Sequence, residues 1–308
     1  MGDVAALIAR RVISAVFVVF LVMTFVFFFM RLAGDPVVAL VGDNATPAEI
    51  EAARVRLGLD EPLLVQYGQF LDGVIHGDFG LSYRFGVPAL PLVLERLPAT
   101  LALAVISLVM TVLIAIPIGL LSALRRGSLI DNVSRVGAVI GQTIPVFWLG
   151  ILLIITFAVH LAILPAGGLD GWQSLILPSV ALSAYSIPLT MRLSRSSMLE
   201  VMGQDYIRAA RAKGISRSRL LTNHAFRNAA IPIVTVVALR AGHVLSGAVV
   251  LEQVFAYPGM GRLAVQSMLL SDYNVIQAFV FVTALIVVAV NLIVDILYGV
   301  IDPRIRLS

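Results

Sequence analysis

VISAVFVVFLVMTFVFFFM, residues Val12 to Met30, is a run of 19 residues without a charged side chain. A helix needs about 20 mostly apolar residues to cross the hydrocarbon core of a bilayer, so this stretch predicts a membrane span. Arg10 and Arg11 precede it, as in a secretory signal, but the apolar part of a signal is shorter, about 7–15 residues. We therefore expect an uncleaved anchor, an N-terminal transmembrane helix within residues 1–31.

The rest of the chain also has the composition of a membrane protein. Of its 308 residues, 59% are hydrophobic and 13% are charged, whereas about 25% of the residues of a soluble domain are charged. Five further apolar stretches have the length of a span: roughly Leu97–Leu124, Val136–Leu164, Leu175–Met191, Ala230–Leu251 and Val275–Val300. We expect an all-α integral membrane protein with six transmembrane helices.

Residue types exclude several kinds of chemistry. There is no cysteine, which excludes thiolate and iron–sulfur sites. The only lysine, Lys213, is followed by Gly214 and Ile215 instead of the hydroxyl residue of a P-loop, so we expect no ATP site in this chain. The four histidines are scattered and form no H-E-x-x-H pair, which leaves a membrane enzyme weakly supported. We expect no catalytic residue, metal or cofactor in this chain, and no nucleic-acid partner.

The distribution of basic residues predicts the orientation. With a cytoplasmic N-terminus, 15 of the 22 basic residues fall on the inner side and six on the outer side, while Arg240 alone lies within a span. Basic residues favour the cytoplasmic side of a membrane protein. We therefore expect both termini to be cytoplasmic.

The segment at 32–96 is predicted to be a folded element on the outer face. It holds nine acidic residues and four arginines. Thr46 and Glu49 have the spacing of a capping box around a helix that starts at Pro47, and Gly58 is placed to end that helix. We interpret the segment as a docking element; a passive loop is the alternative.

The densest charge lies in DYIRAARAKGISRSRLLTNHAFRN, residues Asp205 to Asn228, within a cytoplasmic loop at 192–229. The pattern predicts a short helix, a break at Gly214 and a second helix. Ala209, Ala210 and Gly214 would form a knob that another protein can approach closely. The alternative is an interfacial segment that contacts only membrane lipid.

RAARAKG, residues Arg208 to Gly214, resembles the EAA loop of ABC importer permeases, whose coupling helix enters a cleft on a cytoplasmic ATPase. Arg208 stands where the general motif has glutamate, and HAFRNAAIP replaces the downstream I-x-L-P element. Both departures resemble the branch that serves dipeptides, oligopeptides and nickel. Six other stretches resemble that branch in order: GDP (34–36), LGLDEPLLVQYGQFL (57–71), GDFGLSYRFGVP (77–88), ERLPATLAL (95–103), GAVVLEQVFAYPGMGRL (247–263) and NLIVDILYGVIDPRIRL (291–307).

The resemblance implies a permease subunit, in a bacterial inner membrane, of an importer that depends on a binding protein. The implied fold is the type I importer arrangement, with a five-helix core at 97–308 after the N-terminal helix. The implied partners are a second related permease, two ABC ATPase subunits that bind ATP and Mg²⁺, and an external substrate-binding protein. The implied cargo is di- or oligopeptides, with nickel chelates, glutathione or haem as alternatives. The implied ATPase-coupling residues are Arg208, Ala209, Ala210, Arg211, Lys213 and Gly214.

Polar residues within or near the spans are candidates for the substrate path or its gates. Arg240 lies near mid-membrane, where an ionisable residue by default marks a transport path, and His243 lies one turn further on. Glu252 is predicted at the outer mouth, as an exterior gate or a contact for the binding protein. Asn291 and Asp295 share one face of the sixth span and are predicted to set helix packing or a cytoplasmic gate. A secondary transporter is disfavoured, because no repeated halves are visible.

Overall fold

The computed structural model describes residues 2–33, 37, 46–56 and 58–301. The GDP motif (34–36) and the end of the closing signature (302–307) lie outside the described residues. The helices within the described residues are, in chain order, α1 Gly2–Ala33, α2 Pro47–Arg56, α3 Leu63–His76, α4 Ala89–Leu124, α5 Leu129–Thr143, α6 Val146–His160, α7 Ile176–Met202, α8 Asp205–Ala212, α9 Arg217–Val254, α10 Met260–Leu269 and α11 Tyr273–Ile301.

The described residues divide into two compact units, with boundaries at Ala99/Thr100, Tyr257/Pro258 and Ala289/Val290. The first unit contains α1 to α3, the start of α4, α10 and the first part of α11. The second contains the rest of α4, α5 to α9 and the end of α11. The division into 1–31, 32–96 and 97–308 stays a prediction about function, since packing places its boundaries elsewhere.

In the first unit, the described part of the segment after α1 is folded from residue 46 onward. The main-chain nitrogen of Thr46 donates to Glu49 Oε2 (2.8 Å), and the Glu49 nitrogen donates to Thr46 Oγ1 (3.4 Å). These bonds confirm the capping box and hold the pKa of Glu49 below its usual value. Gly58 follows α2 with a positive φ of 65°, which confirms the predicted end of that helix.

Aromatic packing joins α1 to α3 in the first unit. The Phe27 ring lies 5.2 Å from the rings of both Tyr67 and Phe70. The Thr24 and Tyr67 hydroxyls are hydrogen-bonded at 2.7 Å. A core of buried apolar residues then links α1 with α4, α10 and α11: Met23, Phe79, Ala89, Val93, Met260, Leu263, Val275, Ala278 and Val282.

In the second unit, α7 is the central helix. Of its most apolar window of 18 residues, 61% is buried, against 22% in each of the other four single spans. Small side chains allow neighbouring backbones to come close in a membrane, and the buried face of α7 is rich in them: Ser179, Ser183, Ser186, Thr190, Ser194 and Ser197. A Cβ on Gly119 of α4 would lie only 2.6 Å from the Met191 carbonyl oxygen, so α4 and α7 cross in close contact.

The predicted spans match the helices, with one correction. Within the described ranges, five helices are long and apolar enough to cross a membrane: Ile13–Leu32, Ala89–Leu124, Trp172–Met202, Arg217–Val254 and Tyr273–Val294. The third prediction, one helix over Val136–Leu164, is wrong in shape. Instead α5 and α6 meet at an angle of 101°, because Pro145 cannot continue α5 and forms the N-cap of α6. This bent pair makes the sixth span if it crosses the membrane as one unit.

Candidate functional site

The basic segment after α7 has the helix, the break and the second helix that its sequence predicts. Helix α8 covers Asp205–Ala212 and is two-sided. Ile207 is fully buried and Ala210 is 9% exposed. Both pack in a core with Ala123 of α4, Met198 of α7 and residues of α9. This core anchors α8 to three longer helices, so a force on α8 would reach all of them.

The opposite side of α8 and the turn after it form an exposed basic surface. Its members are Arg208, Ala209, Arg211, Ala212, Lys213 and Gly214. Arg208 pairs with Asp205 three residues earlier. The predicted knob of Ala209, Ala210 and Gly214 is wrong in one residue. The Ala210 side chain lies in the buried core, so Ala209 and Gly214 are the small residues exposed on the surface.

Gly214 gives the turn its shape. Its φ is +78°, and an added Cβ would have no atom within 4 Å. The nitrogens of Lys213 and Gly214 donate to the carbonyls of Ala209 (3.0 Å) and Arg211 (3.0 Å), which satisfies carbonyls at the end of α8. Glycine is required here by the left-handed backbone, and the space around it is open to another molecule.

The second helix of the segment continues into the fifth span without a break. A π-helical turn over Leu220–Phe226 lies inside α9; such turns occur often at functional sites. The Asn228 amide donates to the Tyr206 hydroxyl (2.8 Å) and ties α8 to this turn. An open groove of about 450 Å³ lies beside it, lined by apolar side chains together with Arg211 and Arg217.

The two polar residues predicted near mid-membrane lie on α9. Arg240 is half-buried, and its guanidinium carbon lies 5.5 Å from the centre of the Tyr185 ring on α7, a cation–π contact. Within the described part of the chain, no carboxylate lies within 4.0 Å of it. His243 is exposed, and its Nδ1 lies 3.1 Å from the Leu239 carbonyl oxygen. A role for either residue in the substrate path stays a prediction.

Glu252, near the end of α9, is fully buried. The Thr100 hydroxyl of α4 donates to Glu252 Oε1 at 2.6 Å. Direct contact with an external protein requires an exposed carboxylate, so the structure does not support that part of the prediction. The carboxylate instead joins α4 to α9, and its role as a gate stays a prediction.

The polar pair of the last span is only partly described. Asn291 is exposed on α11. Asp295 lies four residues further along the same helix, which agrees with the shared face, but its side chain lies outside the described residues. The gating role of this pair stays a prediction.

Sequence reasoning missed a buried ion pair beside the coupling segment. Asp131 of α5 is 1% exposed and accepts hydrogen bonds from Arg195 Nε (2.7 Å), Arg195 Nη2 (3.0 Å), Ser122 Oγ (2.6 Å) and the Gly127 nitrogen (2.9 Å). It thus holds α4, α5 and α7 together. The separation of 64 residues between Asp131 and Arg195 gives no local pattern that could have revealed the pair.

Comparison with known proteins identifies the family. Residues 115–307 match the family described as binding-protein-dependent transport system inner membrane component, and residues 4–104 match its N-terminal family. A peptide transport system permease protein of Brucella abortus is 43% identical over 98% of this chain and 99% of its own. The dipeptide transport system permease protein DppB of Escherichia coli is 37% identical over 92% and 93%. The glutathione transport system permease protein GsiC of Escherichia coli is 40% identical over 97% and 98%.

Solved structures agree with the fold. A chain of the inward-facing MetNI methionine ABC transporter aligns with a TM-score of 0.57 at 22% identity, covering 68% of this chain and 96% of its own. An amino acid ABC transporter aligns with a TM-score of 0.52 at 19% identity, covering 68% and 93%. The chain has the type I ABC importer permease fold and belongs to the family of inner-membrane permeases of binding-protein-dependent transport systems.

Proposed function

We propose that this chain is the membrane-spanning subunit of an ATP-driven importer of di- and oligopeptides. It receives its substrate from an external binding protein and moves it by alternating access. It pairs with a second related permease and with two cytoplasmic ATPase subunits, which bind ATP and Mg²⁺. Both termini lie in the cytoplasm, and the segment at 32–96 faces outward.

The observation that carries the proposal is the two-sided build of α8. One side is anchored in the core that contains Ala123, Met198 and Ile233, which belong to α4, α7 and α9. The other side presents Arg211, Lys213 and the open turn at Gly214. A helix built in this way can transmit the closure of an ATPase dimer to three helices at once.

The names of the relatives support peptides as the cargo. The Brucella abortus relative is named as a peptide permease and DppB as a dipeptide permease, each matched over more than nine-tenths of this chain. The glutathione permease matches over a similar length, so glutathione, itself a tripeptide, is the second candidate cargo.

The experiment reconstitutes the complex with its binding protein and measures ATPase activity and uptake while dialanine, trialanine, glutathione and a nickel chelate are added in turn. Stimulation by the alanine peptides is the expected result. Stimulation by glutathione alone would assign the second candidate, and stimulation by the nickel chelate alone would refute the peptide cargo.

A matched pair of glycines tests the coupling helix. Gly214 and Gly127 both have a φ of +78° with open space around the missing Cβ, so a leucine at either position meets the same backbone strain. Gly127 lies in the turn between α4 and α5, outside the α8 surface. We expect Gly214→Leu to abolish peptide uptake, either by uncoupling ATP hydrolysis or by preventing assembly. Gly127→Leu should keep uptake to within about twofold of the wild type at equal expression.

Ala209→Glu supplies a second test on the exposed face. A carboxylate there reverses the local charge without entering the buried core. Ala210→Glu, by contrast, would place a charge in that core and destabilise the unit directly. Normal uptake in both Gly214→Leu and Ala209→Glu would refute the coupling role of α8.

A further inference from the structure

A cavity of about 300 Å³ lies in the first unit, whereas α8 belongs to the second. It is an open cavity, bordered by the end of α1, the turn after α2, α3, the loop at 78–83 and the start of α11. Eight polar or charged side chains contribute to its lining: Arg31, Gln66, Gln69, Asp78, Tyr83, Tyr273, Asn274 and Gln277. This volume is at the small end of the range for sites that bind small molecules.

Arg31 supplies a positive charge to this cavity. Its guanidinium lies 3.7 Å above the Phe27 ring, and its Nε and Nη2 donate to Gln66 Oε1 at 3.0 and 2.8 Å. The acceptor is a neutral amide, and among the residues that the structure describes no carboxylate lies within 4.0 Å of the guanidinium. A guanidinium has five N–H donors, so donors remain for an anionic group, and the ring and amide hold it in place.

Gln277 supplies an unused amide. The residue is 7% exposed, lines the cavity, and has no hydrogen bond to any residue in the described ranges. Its amide atoms are not among the buried side-chain atoms that lack a partner in the described residues, so they are open to the cavity and can bond to a ligand there. Asn274, the neighbouring amide, is already engaged, since it donates to the Leu81 carbonyl oxygen at 2.8 Å. Gln277 is therefore the amide left for a ligand.

Asp78 supplies a negative charge at the edge of the same cavity. Its Oδ1 accepts the Gly80 nitrogen at 2.9 Å, which orients the carboxylate in a turn where Gly77 and Gly80 both have positive φ. No cationic side chain of the described residues lies within 4.0 Å of it. Arg31 and Asp78 thus bring opposite charges to one cavity without pairing with each other.

We propose that this cavity binds a small zwitterion, an amino acid or a dipeptide. Arg31 binds the carboxylate, Asp78 binds the ammonium group, and Gln277 bonds to the carbonyl or N–H between them. Two fixed charges of opposite sign favour a ligand that carries both over one that carries either alone. The site is separate from the coupling surface, and the proposal does not depend on which cargo the importer carries.

The test measures ligand binding by calorimetry on the full-length chain in lipid nanodiscs, with the subunits that copurify and without the external binding protein. The probes are dialanine, N-acetyl-dialanine, which lacks the ammonium group, and dialanine amide, which lacks the carboxylate. We expect saturable binding of dialanine, and binding at least about tenfold weaker for each blocked form, the effect of losing one charged hydrogen bond.

Three variants locate the site. Arg31→Gln removes the charge, and Gln277→Met removes the amide at similar volume without leaving a buried polar group unpaired. Arg31→Gln should weaken dialanine binding at least about tenfold, because it removes a charged hydrogen bond, and Gln277→Met about two- to tenfold, because it removes a neutral one. Arg84→Gln is the control, because Arg84 is exposed in the same unit and does not line the cavity. It should leave binding unchanged.

Gln277→Met also keeps the test independent of folding, since its side chain bonds to no described residue and its unfolding midpoint should stay within about 2 °C of the wild type. Failure of dialanine to bind at about 10 mM, a concentration well above the usual range for small-ligand sites, would overturn the proposal. Binding that survives both Arg31→Gln and Gln277→Met would also overturn it, by placing the ligand elsewhere. Equal binding of N-acetyl-dialanine would overturn the role of Asp78. Each of these results is read without transport, so it can be told apart from a failure of the proposed import function.

Discussion

Replacing Thr100 by valine tests whether the buried Glu252 is a structural anchor between α4 and α9. The two side chains are 1% and 0% exposed, and the Thr100 hydroxyl donates to Glu252 Oε1 at 2.6 Å. Valine has nearly the shape of threonine but cannot donate a hydrogen bond. Thr100→Val therefore removes this bond while the packing around it changes little.

The expected cost follows from the burial of the acceptor. Removing the donor to a buried acceptor costs about 1–3 kcal/mol. Glu252 stays buried in the variant with one bond fewer, so we expect a cost in this range, about 1–3 kcal/mol. The matched control is Thr111→Val on the same helix. Thr111 is equally buried, but its hydroxyl donates to the carbonyl of Ser107 within α4 (2.8 Å).

The Ser107 carbonyl keeps its helical hydrogen bond when the Thr111 hydroxyl is removed, so Thr111→Val should cost at most about 1 kcal/mol. The assay is reversible unfolding in mixed micelles, followed by circular dichroism, with both variants at the same pH. A double-mutant cycle of Thr100→Val with Glu252→Gln then isolates the coupling between the two residues. If Thr100→Val costs no more than Thr111→Val, or the cycle gives no coupling, the anchor role of Glu252 is refuted.

Three further predictions rest on other contacts. Gly119→Ala should destabilise the second unit, because the added Cβ would meet the Met191 carbonyl oxygen at 2.6 Å. Gly137→Ala is the control: the space around Gly137 is open, so the substitution should stabilise α5 by about 0.5–1 kcal/mol. Equal unfolding midpoints for the two variants would contradict the close crossing of α4 and α7 at Gly119. Burial and the charge of Glu252 raise the pKa of Tyr257 to about 12. The folded state therefore keeps the Tyr257 hydroxyl proton, which the unfolded state loses above about pH 10. The free energy of unfolding should fall as the pH rises from 10 to 12. Tyr257→Phe should flatten that slope in urea titrations, and an unchanged slope would contradict the shift. Arg240→Ala should reduce peptide uptake at least about tenfold while the complex still assembles, with Tyr185→Phe as a control that keeps the ring beneath the guanidinium; unchanged uptake would remove Arg240 from the substrate path.

The sequence predicted those parts of the fold that depend on interactions between residues close together in the chain. The first span, the capping box at Thr46 and Glu49 and the turns at Gly58 and Gly214 each depend on residues within four positions of one another. The EAA-like segment was likewise predicted as two helices around Gly214. These features do not depend on how the remaining helices pack, so the sequence alone was enough to predict them.

Features that depend on distant partners were not predicted. The proline at the break in the third span was visible, but the 101° angle is set by how α5 and α6 pack on α7. Ala210 was assigned to the exposed knob because its side chain is small and arginines flank it. Its burial depends on Met198 and Ile233, which lie outside the segment. Among the five single spans of the described residues, α7 has the lowest mean hydropathy and is nevertheless the most buried, since serine and threonine pack closely between helices.

The same distinction separates charged residues that hold the chain together from those available to another protein. Asp131 and Glu252 have partners 64 and 152 residues away, and each joins two or more helices from a buried position. Arg208 pairs only with Asp205, three residues earlier, among the described residues, and Arg211 and Lys213 are exposed with no ion pair in the described ranges. Surface substitutions such as Arg211→Gln and Lys213→Gln should therefore alter the coupling of ATP hydrolysis to uptake without moving the unfolding midpoint. Asp131→Asn should lower the midpoint, and Arg135→Gln, an exposed neighbour of the same carboxylate, should move it much less. A variant set in which stability and coupling changed together at all four positions would contradict this division.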